Sequence, residues 1–203
     1  MKLVFFDWNG TLLDDTPIWF ETVQETFRRF GAQPPTMETY FRELEGDYLG
    51  IYARRGVTTS REELSAAYAE IYWEKARGVR LMPGARKLLR TLRERKIPAW
   101  LVTGQQESMT LPLLEKFHIL PYFRGFKFHA LNKEEIIKKI LAGENVAPET
   151  CCLVGDSPSD IRHANKAGIV SIAFLNGHIP PDLLFVAKPR YTISELKMLL
   201  ALV

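Results

Sequence analysis

Four short apolar runs recur along the chain, and each stops abruptly at a polar or glycine-containing turn. Residues 3–6 (LVFF) run into Asp7, residues 99–102 (AWLV) into Thr103, residues 151–154 (CCLV) into Gly155 and Asp156, and residues 170–174 (VSIAF) into Leu175-Asn176-Gly177. Runs with so little apolar–polar alternation suit strands covered on both faces, as in parallel sheets. Stretches of helical period separate them. Residues 84–95 place Leu88, Leu89 and Leu92 on one face, and Asn132 with Glu135 has capping-box spacing ahead of Ile136, Ile137, Ile140 and Leu141. Residues 161–168 and 194–202 supply further helical segments, and a helix is expected to begin near Gln105. Strand and helix in alternation predict an α/β fold: a Rossmann-like, three-layer parallel sheet core.

Residues 15–80 break that rhythm. Trp19, Phe20, Val23, Phe27 and Phe30 form one helical stripe closed by Gly31, and Leu64, Ala67, Tyr68, Ile71 and Tyr72 form another, opened by Ser60 with Glu63 in capping-box position. No convincing strand lies between them. The expected organisation is therefore a core of residues 1–14 and 81–203 with an inserted α-helical cap domain at 15–80, its borders marked by polar, Pro and Gly residues. At 203 residues and 46% hydrophobic, the chain is long enough for one core and such an insertion.

Composition narrows the function classes. The net charge is only +3, with 27 basic residues interspersed among 24 acids, so no nucleic-acid partner is expected. Cys151 and Cys152 are neighbours in an apolar run, which suits reduced core thiols and a cytoplasmic location. Neither a signal-peptide pattern nor an 18-residue apolar span is evident, so no membrane association is expected.

In an open parallel sheet, ligands bind beyond the carboxyl ends of the strands. There the sequence places Asp7, Asn9, Gly10 and Thr11 after one strand, Thr103 and Gly104 after another, and Gly155, Asp156, Ser157 and Asp160 after a third. Carboxylates, hydroxyls and backbone N–H groups on one rim suit a hard divalent cation, Mg²⁺, held against a phosphate.

Asp7-Trp8-Asn9-Gly10-Thr11, Leu101-Val102-Thr103-Gly104, Lys133 and Gly155-Asp156-Ser157-Pro158-Ser159-Asp160 resemble, in order, the four motifs of the haloacid dehalogenase superfamily. The helical insertion directly after the first motif is similar to the small C1 cap of the branch containing phosphoglycolate phosphatases and β-phosphoglucomutase. The resemblance implies a Mg²⁺-dependent phosphohydrolase acting on a small phosphorylated metabolite. Asp7 would be the nucleophile that forms an aspartyl-phosphate. Thr103 and Gly104 would bind the phosphoryl group, Lys133 would neutralise charge on nucleophile and substrate, and Asp7, Asp156, Asp160 and the Asn9 carbonyl would form the metal site. Each residue also has a plain alternative: Thr103 as a helix cap, Lys133 as one surface lysine among several, and Asp160 as an acid favoured at a helix start. The four histidines share no spacing and read as surface or loop residues.

One departure stands out. Family phosphatases usually carry Asp where this chain has Asn9, and an amide exchanges no proton at useful pH. The reading is therefore a slow phosphatase or one specialised for acidic leaving groups such as acyl phosphates. Alternatives are other chemistry within the superfamily, a non-catalytic phosphate-binding or regulatory protein, or an engineered change at position 9. In the insertion, residues 43–56 correspond by resemblance to a specificity loop. There Arg54 and Arg55 are either anion-binding residues for the substrate or exposed helix-end residues. Monomer and homodimer both stay open.

Overall fold

Phe5, Phe6 and their neighbours have no polar alternative to burial, and removing each large apolar side chain from water is worth about 1.5–3 kcal/mol. That drive produces the sheet. The computed structural model describes residues 1–43, 48–175 and 178–203. In chain order its helices and strands are β1 (Leu3–Phe6), β2 (Leu13–Asp14), α1 (Thr16–Arg29), α2 (Met37–Glu43), α3 (Tyr48–Arg54), α4 (Arg61–Lys75), β3 (Arg80–Leu81), α5 (Ala85–Glu94), β4 (Ala99–Val102), α6 (Glu107–Lys116), β5 (Gly125–Lys127), α7 (Lys133–Glu144), β6 (Cys151–Gly155), α8 (Pro158–Ala167), β7 (Val170–Phe174), α9 (Pro181–Val186) and β8 (Tyr191–Ile193).

Among the described residues, six strands form one sheet in the order β5-β4-β1-β6-β7-β8, and every pairing is parallel. The α/β, Rossmann-like core expected from the sequence is what forms. β1 is central and fully buried, with Leu3 and Phe5 on one face against Ile137, Ile140 and Leu141 of α7 and Ala164 and Ala167 of α8. On the α5 helix, Ala85, Leu88, Leu89 and Leu92 are buried while the intervening Arg and Lys side chains stay in water. Cys151 and Cys152 are free and buried, and burial pushes the Cys152 thiol up to about 12, so it behaves as a small core hydrophobe.

Differences from the sequence reading have local causes. β5 and β8 are three residues each, too short to display a period. The α8 helix starts at Pro158, three residues before the expected 161, because Ser157 caps it and Pro at the first position is preorganised for a helix. At the other end of the chain, residues 194–202 yield only a short 3₁₀ segment, Leu196–Ala201.

The chain divides into two compact units, residues 1–14 with 81–203, and residues 15–80. The second unit is helical. Its core gathers Val23, Phe27, Tyr40, Ile51, Tyr52, Val57 and Leu64, with Phe27 stacked on Tyr52 at 4.1 Å between ring centroids. Ser60 and Glu63 close a reciprocal capping box at the start of α4, as their spacing predicts. Two helices not anticipated, α2 and α3, complete the unit. Among the described residues of the stretch read as a specificity loop, Tyr48–Arg54 form α3. Residues Leu44, Glu45, Gly46 and Asp47 of that stretch lie outside the described residues.

Within this unit the Asp15 side chain is buried and accepts a 2.8 Å hydrogen bond from the Tyr72 hydroxyl, itself fully buried. A buried carboxylate that loses a donor carries its desolvation with less compensation. Tyr72→Phe is expected to lower unfolding free energy by about 1–3 kcal/mol, read as a reduced urea midpoint at unchanged m-value.

Candidate active site

Parallel register carries the ends of three strands to one level. Phe6 pairs with Leu101 of β4 and with Val154 of β6, so Asp7, Val102 and Gly155 follow side by side, and the Asp7 amide donates to the Val154 carbonyl at 3.0 Å. The loop after β1 then winds tightly around one acceptor. The Trp8 carbonyl takes hydrogen bonds from the amides of Thr11, Leu12 and Leu13, and Trp8 itself is wholly buried. This coil fixes the Asp7 backbone and places Thr11 so that its hydroxyl donates to Asp156 Oδ1 at 3.1 Å. Asn9 is half-buried and forms a backbone bridge with Leu13.

Lys133 is brought to the same point from the start of α7. Its Nζ lies 2.5 Å from Asp7 Oδ1 and 2.6 Å from Asp160 Oδ1, and the residue is buried. A cation in the first helical turn opposes the helix dipole, by about 0.3–1 kcal/mol in exposed cases. Its two carboxylates outweigh that penalty, so the surface-lysine alternative fails. Asp160 uses its other oxygen, Oδ2, as the α8 capping acid: Ser157 Oγ donates to it at 2.6 Å and the Ser157 amide at 3.3 Å. The acid therefore caps a helix, as its place at a helix start suggests, and grips the lysine as well. Gly155 makes this possible, since a Cβ there would lie 2.5 Å from the Asp160 Cβ and Cγ.

Thr103 is buried at the end of β4, and its hydroxyl accepts from the Gln105 amide at 3.1 Å. An accepting hydroxyl still has its proton to give, so the turn-capping role and donation to a phosphoryl oxygen are compatible. Gly104 beside it is exposed.

Burial dominates the electrostatics. Desolvation pushes the Asp7 carboxyl up from 3.8 to about 6, and Asp160 adds to that, against the opposing pull of Lys133 and a hydrogen bond from the Trp8 backbone. For Lys133, burial works the other way, yet the combined charge of Asp160 and Asp7 holds its ammonium well above the ordinary lysine value. It stays protonated. Carboxylate oxygens of Asp7, Asp156 and Asp160 lie within 4.8 Å of one another, and among the described residues no other group of three His, Cys, Asp or Glu side chains does so. Three ionised acids against one lysine leave a formal charge of −2, and the donors are hard oxygens. Both features fit a divalent cation such as Mg²⁺.

The structure thus brings Asp7, Asp156, Asp160 and Lys133 into one cluster, with Asn9, Thr103 and Gly104 in the loops around that sheet edge. Arg54 and Arg55 belong to the helical unit, where Arg54 donates to the Glu43 carbonyl and Arg55 pairs with the Glu43 carboxylate, both at 2.8 Å. Thr11 was given no role from the sequence, although a hydroxyl four residues after Asp7 marks it. One histidine reading needs correction: His163 is a half-buried residue of α8 with a buried Nδ1 that has no hydrogen-bond partner among the described residues, close enough to Asp160 and Lys133 to feel their charge. Lys133→Met would leave two buried carboxylates facing each other without their cation. In metal-free protein it is expected to lower unfolding free energy by about 3–5 kcal/mol, checked by denaturant titration.

A phosphoglycolate phosphatase of Pseudomonas putida is 25% identical over 98% of this chain and 78% of its own length. A phosphorylated carbohydrates phosphatase of Thermotoga maritima is 26% identical over 85% of this chain and 84% of its own. Among solved structures, one described as a predicted phosphoglycolate phosphatase from Haemophilus somnus superposes with a TM-score of 0.79 at 18% identity, covering 100% of this chain and 97% of that one, a likeness of fold. The sequence model of the haloacid dehalogenase-like hydrolases matches residues 4–174, a span that runs from β1 through the acid cluster to the end of β7, and the chain belongs to that family.

Proposed function

We propose that this hydrolase is a Mg²⁺-dependent phosphatase that removes phosphate from a small metabolite through an aspartyl-phosphate on Asp7. The observation that carries the reading is the buried Lys133 ammonium joining Asp7 to Asp160 beside Asp156. A protein that only bound phosphate would gain nothing from a carboxylate aimed at the anion, because like charges repel. A nucleophile needs that position. The names of the relatives, phosphatases for phosphoglycolate and for phosphorylated carbohydrates, support the same substrate class.

In this reading Asp7 attacks phosphorus, and the first displacement transfers the phosphoryl group to its carboxylate; water then releases it. Lys133 orients the attacking oxygen and counters charge on the transferring group, while Thr103 and the Gly104 region donate hydrogen bonds to phosphoryl oxygens. Asp7, Asp156 and the Asn9 carbonyl would hold the metal, with Asp160 acting through Lys133 and the loop or through coordinated water. Bound there, the cation neutralises phosphoryl charge that would otherwise repel the nucleophile. Thr11 keeps Asp156 turned toward that point. In the helical unit, Arg55 would exchange its ion pair with Glu43 for a carboxylate or second phosphate of the substrate.

Asn9 shapes the kinetics. With no ionisable group at that position, alcohol leaving groups depart slowly and acyl phosphates are favoured, since general acid–base help is worth about 10² to 10⁴ in rate. The test is a panel of phosphorylated metabolites and acyl phosphates assayed with Mg²⁺. Asp7→Ala is expected to abolish turnover while the folded signal persists in circular dichroism, and turnover that survives it removes Asp7 from the nucleophile role. EDTA should stop the reaction and added Mg²⁺ restore it. Asn9→Asp should raise kcat on alkyl phosphates; an unchanged kcat would instead favour altered chemistry or a binding role.

A further inference from the structure

Asn-Gly occurs twice in the chain, at residues 9–10 and 176–177, and the first pair follows Asp7 in the loop after β1. Asparagine followed by glycine is chemically labile. The glycine amide nitrogen can close a succinimide ring on the side-chain carbonyl carbon, and glycine has no Cβ to stand in the way. Both reacting atoms belong to one short stretch of covalent chain, so rotation within residue 9 brings them together without help from any tertiary contact.

The fold keeps this pair in place. Gly10 has φ +70°, a left-handed conformation that favours glycine, so the turn itself calls for the small residue after Asn9. The hydrogen bonds that hold the coil run from the Trp8 carbonyl to the amides of Thr11, Leu12 and Leu13 and span residues 9 and 10. Asn9 is bridged to Leu13, and the ring closes only when that bridge opens, so the folded loop reacts more slowly than a free peptide of the same sequence. Asn9 is only half-buried, and water can reach it. Other described asparagines are placed differently. Asn132, Asn145 and Asn165 precede Lys133, Val146 and Lys166, whose side chains crowd the attack. The Asn132 side chain also caps α7, and that of Asn165 donates to the Ala187 and Lys188 carbonyls.

We propose that Asn9 converts itself to aspartate and so supplies the proton-transferring acid that the encoded chain lacks, an inference that rests on the phosphatase reading for its purpose but not for its chemistry. In the first step the Gly10 nitrogen gives up its proton and bonds to Asn9 Cγ, while the bond from Cγ to Nδ2 breaks; Nδ2 takes the proton and leaves as ammonia. In the second, water bonds to Cγ, the bond from Cγ to the Gly10 nitrogen breaks, and that nitrogen regains a proton. The sum is an amide plus water giving a carboxylic acid plus ammonia, with the backbone unchanged. Water that adds instead at the backbone carbonyl carbon of residue 9 gives isoaspartate, whose longer backbone cannot keep the Trp8 coil in register. The new carboxyl joins a rim whose acid cluster already carries a formal charge of −2. Like charge favours its protonated form, the form able to give a proton to a leaving oxygen.

The experiment follows the full chain as it ages in mildly alkaline water enriched in heavy oxygen. The peptide spanning β1 and its loop should change from the amide to the acid mass and carry the heavy oxygen in the side chain of residue 9. Over the same period kcat with Mg²⁺, on the fastest alkyl phosphate of the panel above, should rise in step with the aspartate fraction. General acid–base help is worth about 10² to 10⁴ in rate, so a minor converted fraction should carry most of the turnover. Asn9→Gln, whose longer side chain closes a ring poorly, should show neither the label nor a drift of kcat with time. Asn176→Gln should leave both time courses unaltered. The proposal is overturned by an unlabelled residue 9 in the folded chain after a synthetic peptide of residues 4–13 has converted fully, by conversion to isoaspartate alone, or by conversion to aspartate with Asp7-dependent kcat unchanged. The two readings fail differently: an absence of Asp7-dependent turnover defeats the phosphatase reading, whereas the label at residue 9 decides the conversion whatever the turnover.

Discussion

The ammonium of Lys133, lying between Asp7 and Asp160 with Asp156 close by, is the one positive charge in a buried group of four, and the rest of the structure is organised to hold that group in place. Taking charges out of water costs several kcal/mol per ion, and a single cation cannot balance three carboxylates. The rise of the Asp7 carboxyl to about 6 comes mainly from that burial, with Asp160 adding to it against the pull of Lys133. Left to relax, the side chains would separate. They are prevented because each is anchored to a different rigid element: Asp7 to the end of β1, Asp156 to β6, Asp160 to the first turn of α8 and Lys133 to the first turn of α7.

Packing supplies the restraint. The residues ahead of Asp7 and Asp156 are the buried strands Leu3–Phe6 and Cys151–Gly155, and both faces of β1 are covered. Hydrophobic burial in the sheet thus offsets electrostatic strain at its edge, which is the usual trade between stability and a preorganised site. Gly155 shows how tight the arrangement is. Its missing side chain is the space that Asp160 fills, so the turn after β6 and the orientation of Lys133 are set by one residue.

Much of this was legible in the sequence, for reasons that differ from element to element. Unbroken apolar runs revealed β1, β4, β6 and β7, because a strand buried on both faces has no polar positions to confuse its pattern. Capping residues Ser60 and Asn132 located α4 and α7 because a cap is a local hydrogen bond between near neighbours. Short edge elements such as β5 and β8 were invisible, since their existence depends on pairing with strands far away in the chain. The role of Asp160 was half legible: spacing marked it as a helix-start acid, but its grip on Lys133, 27 residues earlier, is a tertiary fact. Thr11 and Asp156, 145 residues apart, both fall on the rim by sequence, but their hydrogen bond is a tertiary fact as well.

Asn9 is where local pattern and chemistry part company. As a structural residue it is unremarkable: it bridges Leu13 in a coil organised by the Trp8 carbonyl, and an amide serves that backbone geometry as well as an acid would. The metal site is equally indifferent if residue 9 contributes only its carbonyl. What changes is the charge at the mouth of the site. A carboxylate there would add a further negative group to a cluster already at −2, whereas the amide adds none. On this argument the exchange of acid for amide at position 9 lowers the repulsion that the first step must overcome.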